Sequence, residues 1–304
     1  MKRSSPMKQR NERSGVHFFD RQSGLHVLMD EFCVPPDKID VGPRTVSIAI
    51  TSVCNLHCHF CYAHAGRSRL PLKFVCDLAT ALDGLGVLEL TLGGGEPTLH
   101  PELDDICRHV WQNTGLSLSI TTHGHNLSET LLKAIAPNVS MIRFSIDGPE
   151  PRYSQIRGRP LSALITTIRL AKMGVRFGIN CVVSRASVAE TEEVLELAIR
   201  EQANDVLLIP EHRSGIPTLS ASDWVDLDQL ISAYRHRVQI CISRTADGFL
   251  SAPTLDTAAR DEFHFCHVTA GMALQAHSYG GQTFPISDLS ALAYQLGALK
   301  RSLI

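Results

Sequence analysis

Between Thr45 and Pro210 short apolar runs alternate with longer stretches of helical periodicity, and this rhythm restricts the chain to architectures built from βα units. Strands are predicted over 46–51, 88–92, 116–121, 141–146, 175–183 and 205–209. Helices are predicted between them, over 72–85, 102–112, 129–135, 161–173 and 188–201. Ser187 and Glu190 have the spacing of a capping box for the last of these. Strands separated by helices pair in parallel, so the expected fold class is α/β: a partial (β/α)6 TIM-like barrel with an N-terminal hairpin and a short C-terminal extension.

The flanks divide by composition. Residues 1–15 carry Lys2, Arg3, Lys8, Arg10 and Arg13 with no apolar core before Gly15, which reads as a disordered basic arm and not a signal peptide. Residues 16–44 form an N-terminal hairpin extension, in which the apolar runs 16–19 and 25–29 flank a turn-rich spacer. The barrel core spans 45–212 and the C-terminal extension 213–304, where Ser220 caps a helix expected over 224–243 before a Gly- and His-rich tail. With 304 residues, one main domain is the simplest reading.

Lys and Arg number 29 against 31 Asp and Glu, so the net charge of −2 supplies no field that would gather nucleic acid or an anionic membrane. There is no run of about 18 apolar residues. Nine cysteines at irregular spacing do not read as a secreted disulfide framework; reduced thiols and a soluble, cytoplasmic protein are expected.

Three of those cysteines, Cys54, Cys58 and Cys61, lie within eight residues directly after the first predicted strand. In a parallel α/β architecture that is the edge where active sites assemble. Soft thiolates favour an iron–sulfur cluster or zinc. A four-iron cluster with three local ligands keeps one iron open for a small chelating ligand. Zinc is the competing reading, with His57, His59 or His64 as fourth ligand.

Cys-x3-Cys-x2-Cys with Phe60 before the third cysteine resembles the signature of the radical S-adenosylmethionine (radical SAM) superfamily. The resemblance runs from about Thr45 to Pro210. Two further segments carry it: Gly93-Gly94-Gly95-Glu96-Pro97 after the second strand, and Arg143-Phe-Ser145-Ile-Asp147-Gly148 at the end of the fourth, followed by Arg157. The resemblance implies a [4Fe-4S] cluster on Cys54, Cys58 and Cys61. It also implies S-adenosylmethionine bound by Phe60, Gly93, Gly94, Gly95 and Glu96, whose segment meets the methionine amino group. Ser145 and Arg157 then help to hold its ribose and carboxylate. The implied activity is an oxidoreductase-type reaction: reductive cleavage of S-adenosylmethionine to a 5′-deoxyadenosyl radical, which abstracts hydrogen from substrate, with flavodoxin or ferredoxin as electron donor.

His123 stands where similar enzymes commonly have Asn, either lining the substrate cavity or satisfying a turn. The tail around Cys266 resembles the opening of a SPASM/twitch-type extension, in degenerate form because Ile286 occupies an expected cysteine position. Cys266 is thus a candidate hydrogen donor or the vestige of a lost ligand set, which Cys33 and Cys241 could join in space. Cys76, Cys107 and Cys181 read as core. The expected substrate is a peptide or natural-product precursor. The alternatives are a nucleotide or sugar in cofactor biosynthesis and, from another class, a non-catalytic cluster- or zinc-binding regulatory protein.

Overall fold

The computed structural model describes residues 7–61, 63, 66–213, 216–243, 250, 263–278 and 281–302. In chain order β1 (Lys8–Glu12), β2 (Gly15–Asp20) and β3 (Leu25–Met29) make a three-stranded antiparallel sheet. Then come β4 (Thr45–Thr51), α1 (Leu72–Gly84), β5 (Glu89–Gly94), α2 (Leu103–Asn113), β6 (Ser117–Thr122), α3 (Glu129–Ile135) and β7 (Met141–Ser145). α4 (Arg152–Arg157), α5 (Leu161–Ala171), β8 (Arg176–Val183), α6 (Thr191–Glu201) and β9 (Asp205–Pro210) complete the alternating region. The remainder holds β10 (His212–Arg213), β11 (Ile216–Pro217), α7 (Ala221–Tyr234), β12 (Gln239–Ile242), β13 (Phe265–Val268), β14 (Ala273–Gln275), β15 (Phe284–Pro285) and α8 (Leu292–Arg301). No helix among the described residues is long and apolar enough to cross a membrane.

β4 to β9 pair in parallel in chain order, which is the expected partial barrel. Side chains alternate along each strand, so the two faces of the sheet differ. Val46, Ile48, Leu90, Leu92, Leu118, Ile120, Ile142, Phe144 and Ile179 are buried in one apolar cluster with Leu78 and Leu82 of α1, Ile106 and Val110 of α2 and Leu195 of α6. On the other face Thr91 and Ser119 share a 2.9 Å hydrogen bond. There Arg143 donates to Asn180 at 2.7 Å and to Asp205 at 2.5 Å. A sheet with one apolar and one polar face is built to enclose something on the polar side.

Four expectations change. The basic arm is, from Lys8, a strand: Lys8 to Glu12 register with Phe19 to Gly15, because backbone pairing and the Arg10–Glu12 contact of 2.7 Å outweigh its charge. Residues 1–6 lie outside the described residues. Ser187 makes no capping box: its hydroxyl accepts from Ser184 N at 2.8 Å, and Glu190 pairs with Arg152. The capping box instead forms at Ser220 and Asp223, starting α7. That helix stops at Tyr234, and Gln239–Ile242, a short run rich in β-branched isoleucine, forms a parallel edge strand on β9. The C-terminal segment, finally, enters the main sheet, with β13 pairing in parallel with β4 (Cys266 opposite Val46).

Candidate active site

The strand ends and their loops build a connected site. Glycines at the end of β5 allow the cysteine loop to approach: a Cβ on Gly94 (φ +118°) would lie 2.1 Å from Thr51 O, and one on Gly95 2.3 Å from Val53 O. Gly93 differs. A Cβ there would meet nothing within 4 Å, so this glycine leaves open space beside the cysteine loop.

Glu96 is 1 % exposed and its carboxylate is fully engaged. It accepts from Thr98 N at 3.1 Å, Thr98 Oγ1 at 2.6 Å, Thr122 Oγ1 at 2.6 Å and His123 N at 3.0 Å. In this geometry Glu96 braces the ends of β5 and β6.

His123, 4 % exposed, belongs to the same brace. Its Nδ1 accepts from His125 N at 3.0 Å, which makes Nε2 the protonated nitrogen, donating to Asn55 Oδ1 at 2.9 Å and close to Glu96 at 3.3 Å. Burial holds its pKa below the ordinary imidazole value, despite the pull of Glu96. Of the two roles expected for His123, the geometry favours the turn. Through Asn55 it also ties the cysteine loop to β6.

Cys54 and Cys58 are half-buried and Cys61 is exposed; all three are free thiols, each within electrostatic range of the other two. Burial pushes the Cys54 and Cys58 thiols up, so a cation is needed to draw out their thiolates. Leu56 N donates to Cys54 Sγ at 3.4 Å, the type of N–H···S contact that tunes sulfur ligands. Among the described residues no trio of His, Cys, Asp or Glu is gathered closely enough to hold an ion unaided. The donor set and the space beside Gly93 nevertheless fit a cluster with a small-molecule ligand. For the zinc reading, His57 and His59 are exposed and His64 lies outside the described residues.

Arg157 is 10 % exposed and forks onto Asp147, with Nε at 2.8 Å from Oδ2. Asp147 also accepts from Val182 N at 3.0 Å, which joins β7 to β8. Burial opposes the Arg157 charge, but Asp147 and Cys58 outweigh it and raise its pKa. The guanidinium lies 5.8 Å from the Phe60 ring centroid. Ser145 ends β7 half-buried, with no side-chain partner among the described residues. Beside these residues lies a cavity of about 320 Å³, walled by Phe60, Asp147, Ile156, Val182, Glu211 and Thr218 among others.

Cys266 is not part of this site. It is 0 % exposed, one residue into the strand pair β13–β4, while the cysteine motif follows the opposite end of β4. Burial pushes its thiol far up, and it packs as a small hydrophobe. Cys241 sits buried in strand β12 and Cys33 is exposed in a loop. Sequence reasoning missed Asn55, Thr98, Thr122, Glu211 and Thr218. Asn55, Thr98 and Thr122 lie in or beside the motif segments but are not the residues that define them, and Glu211 and Thr218 lie outside every motif.

Residues 48–198 match the Radical SAM superfamily. The chain belongs to that superfamily and is a radical SAM enzyme, and membership implies a [4Fe-4S] cluster and S-adenosylmethionine. It is 26 % identical over 213 residues to a probable GTP 3′,8-cyclase of Saccharolobus islandicus (strain M.14.25 / Kamchatka #1), covering 67 % of this chain and 68 % of that one. It is 25 % identical over 215 residues to the PqqA peptide cyclase of Streptomyces rochei, covering 68 % and 59 %. In fold it is similar to Streptococcus suis SuiB bound to S-adenosylmethionine, with a TM-score of 0.76 at 13 % identity, covering 98 % of this chain and 89 % of that one.

Proposed function

We propose that this enzyme holds a [4Fe-4S] cluster on Cys54, Cys58 and Cys61, binds S-adenosylmethionine at the adjoining strand ends, and abstracts hydrogen from a peptide or natural-product precursor. The observation that carries this reading is the cavity of about 320 Å³, lined both by the cysteine loop and by residues at the ends of β8 and β9. When bound, cluster and S-adenosylmethionine supply a 5′-deoxyadenosyl radical, chemistry that no side chain offers.

The chain's own residues position and shield. Gly93 leaves room for the cofactor, and Ser145 presents a free hydroxyl to a ribose. Arg157, held by Asp147, orients its remaining N–H groups beside Phe60. Phe60, Ile156 and Val182 give the cavity apolar walls that keep water from a reactive species. Glu96, His123 and Asn55 hold the cysteine loop in place.

A peptide substrate is supported by the similarity to a peptide cyclase, and SuiB has also been crystallised with its precursor peptide SuiA. β3, an edge strand with Leu25 and Val27 exposed, suits strand addition by an extended chain. A nucleotide is the second reading, favoured by the exposed Arg185 and Arg213 at the cavity, which would meet phosphates, and by the GTP cyclase relative. An electron donor such as flavodoxin or ferredoxin completes either reaction. Anaerobically reconstituted enzyme, reduced with S-adenosylmethionine present, is expected to be brown and to form 5′-deoxyadenosine. A colourless zinc protein, or a brown one that forms no 5′-deoxyadenosine, overturns the reading. Deuterium transfer from labelled peptides or nucleotides into 5′-deoxyadenosine separates the two substrates.

A further inference from the structure

We infer that Glu211 is the substrate anchor of this cavity and receives a cationic nitrogen, an ammonium or guanidinium, from the molecule acted on. The inference rests on the proposed function above and names the chemistry of its substrate. Glu211 follows β9, is 6 % exposed and lines the cavity. Its backbone is pinned on both sides: its N–H donates to Val183 O at 2.8 Å, and its carbonyl accepts from Thr218 N at 2.9 Å.

Matching the cavity's charges leaves this carboxylate with only an exposed partner. Asp147 is neutralised by Arg157 and Arg152 by Glu190. Arg185 is 75 % exposed and leans toward Asp223 at 4.0 Å. Among the described residues the side chain of Glu211 meets only Arg213 Nε, at 3.4 Å. That arginine is 76 % exposed, and an ion pair with so solvated a partner is weak and readily exchanged. A carboxylate removed from water requires a close, hydrogen-bonded partner.

A second observation lies on the same wall. Thr218 Oγ1 is buried with no hydrogen-bond partner, next to Glu211 through their backbone contact. The carboxylate offers acceptors to a group with several N–H donors, which describes a lysine, an arginine or a free amine, and the unpaired hydroxyl lies beside it. Phe60, which lines the same cavity, brings the cysteine loop to that space.

Equilibrium binding to the reconstituted holoenzyme with S-adenosylmethionine, without reductant, tests this. The probes are the pentapeptides Ala-Ala-Lys-Ala-Ala and Ala-Ala-norleucine-Ala-Ala, with pentylamine and GTP as further arms. The lysyl peptide is expected to bind about tenfold tighter than the norleucyl one. Glu211→Gln should reduce that preference to about threefold or less. Arg213→Ala, at an exposed position, should tighten lysyl binding about threefold by removing the competing cation. Equal binding of the two peptides, a preference that survives in E211Q, or weaker lysyl binding in R213A overturns the assignment. So does GTP binding more tightly than the lysyl peptide. Pentylamine matching the lysyl peptide keeps Glu211 as anchor and makes the substrate a free amine. If E211Q fails to fold, as its melting would show, R213A decides alone. Wild-type enzyme that forms no 5′-deoxyadenosine defeats the radical reading and leaves the binding result standing.

Discussion

The nine cysteines fall into environments that share a side chain and little else. Cys54, Cys58 and Cys61 sit in a loop after a strand end, exposed or half-buried, within electrostatic range of one another. Cys107, Cys181 and Cys266 are buried in helix or strand, at 0 %, 2 % and 0 % exposure. Burial raises the thiol pKa of Cys54 and Cys58 as it does that of the three buried cysteines, yet only in the loop can an incoming cation reach the sulfur and reverse the shift. Position relative to the sheet edge, not residue type, separates ligand from packing.

The largest expected effect would break this comparison if it failed. Cys58→Ala should abolish both the visible iron–sulfur absorption and 5′-deoxyadenosine formation; retention of either means the ligand set is misassigned. Gly94→Ala comes next. Its Cβ would collide with Thr51 O at a positive φ, and chemical denaturation should show a loss of about 3 kcal/mol.

A pH series sharpens the contrast on the buried side. Burial holds His267 at about 4, below its ordinary 6.5. The unfolded chain therefore binds the proton first on acidification. Its stabilising contribution is complete above pH 6.5 and is lost as pH falls toward 4, by roughly 2–3 kcal/mol at pH 4.5. Urea melts should show that slope in the wild type and a flatter one in His267→Gln; parallel slopes would remove His267 as its source.

The two smallest effects separate cofactor space from core. Gly93→Ala, with nothing within 4 Å of the new methyl group, should leave stability within about 1 kcal/mol. It should weaken S-adenosylmethionine binding about tenfold, read by equilibrium dialysis. Cys266→Ala should cost about 1 kcal/mol of stability and leave 5′-deoxyadenosine formation intact. A large loss of activity there would return Cys266 to the site.

Much of this was legible before any coordinates. The six core strands fall within one or two residues of their predicted spans, because period-2 and period-3.6 patterns are local properties. The cysteine, glycine and Ser145 segments were legible for the same reason: each is a short run whose spacing is itself the signal. Ser187 shows where locality misleads. Its spacing suits a capping box, but the Ser184 N–H takes its hydroxyl and Arg152 takes Glu190. Glu96 shows the same limit, since nothing in its own segment reveals that Thr122 and His123, over twenty residues away, fill its carboxylate.

By itself, then, the sequence determined the βα rhythm, the three thiols after the first core strand and the glycines after the second, because covalent spacing alone sets these. Only the tertiary structure decided that β13 lies against β4, that Glu96 and His123 brace the loop, and that Glu211 and Thr218 line one cavity with Phe60 of the cysteine loop. Those outcomes depend on which distant segments share the low-dielectric interior, where each buried polar atom must find a partner from whatever the fold brings near.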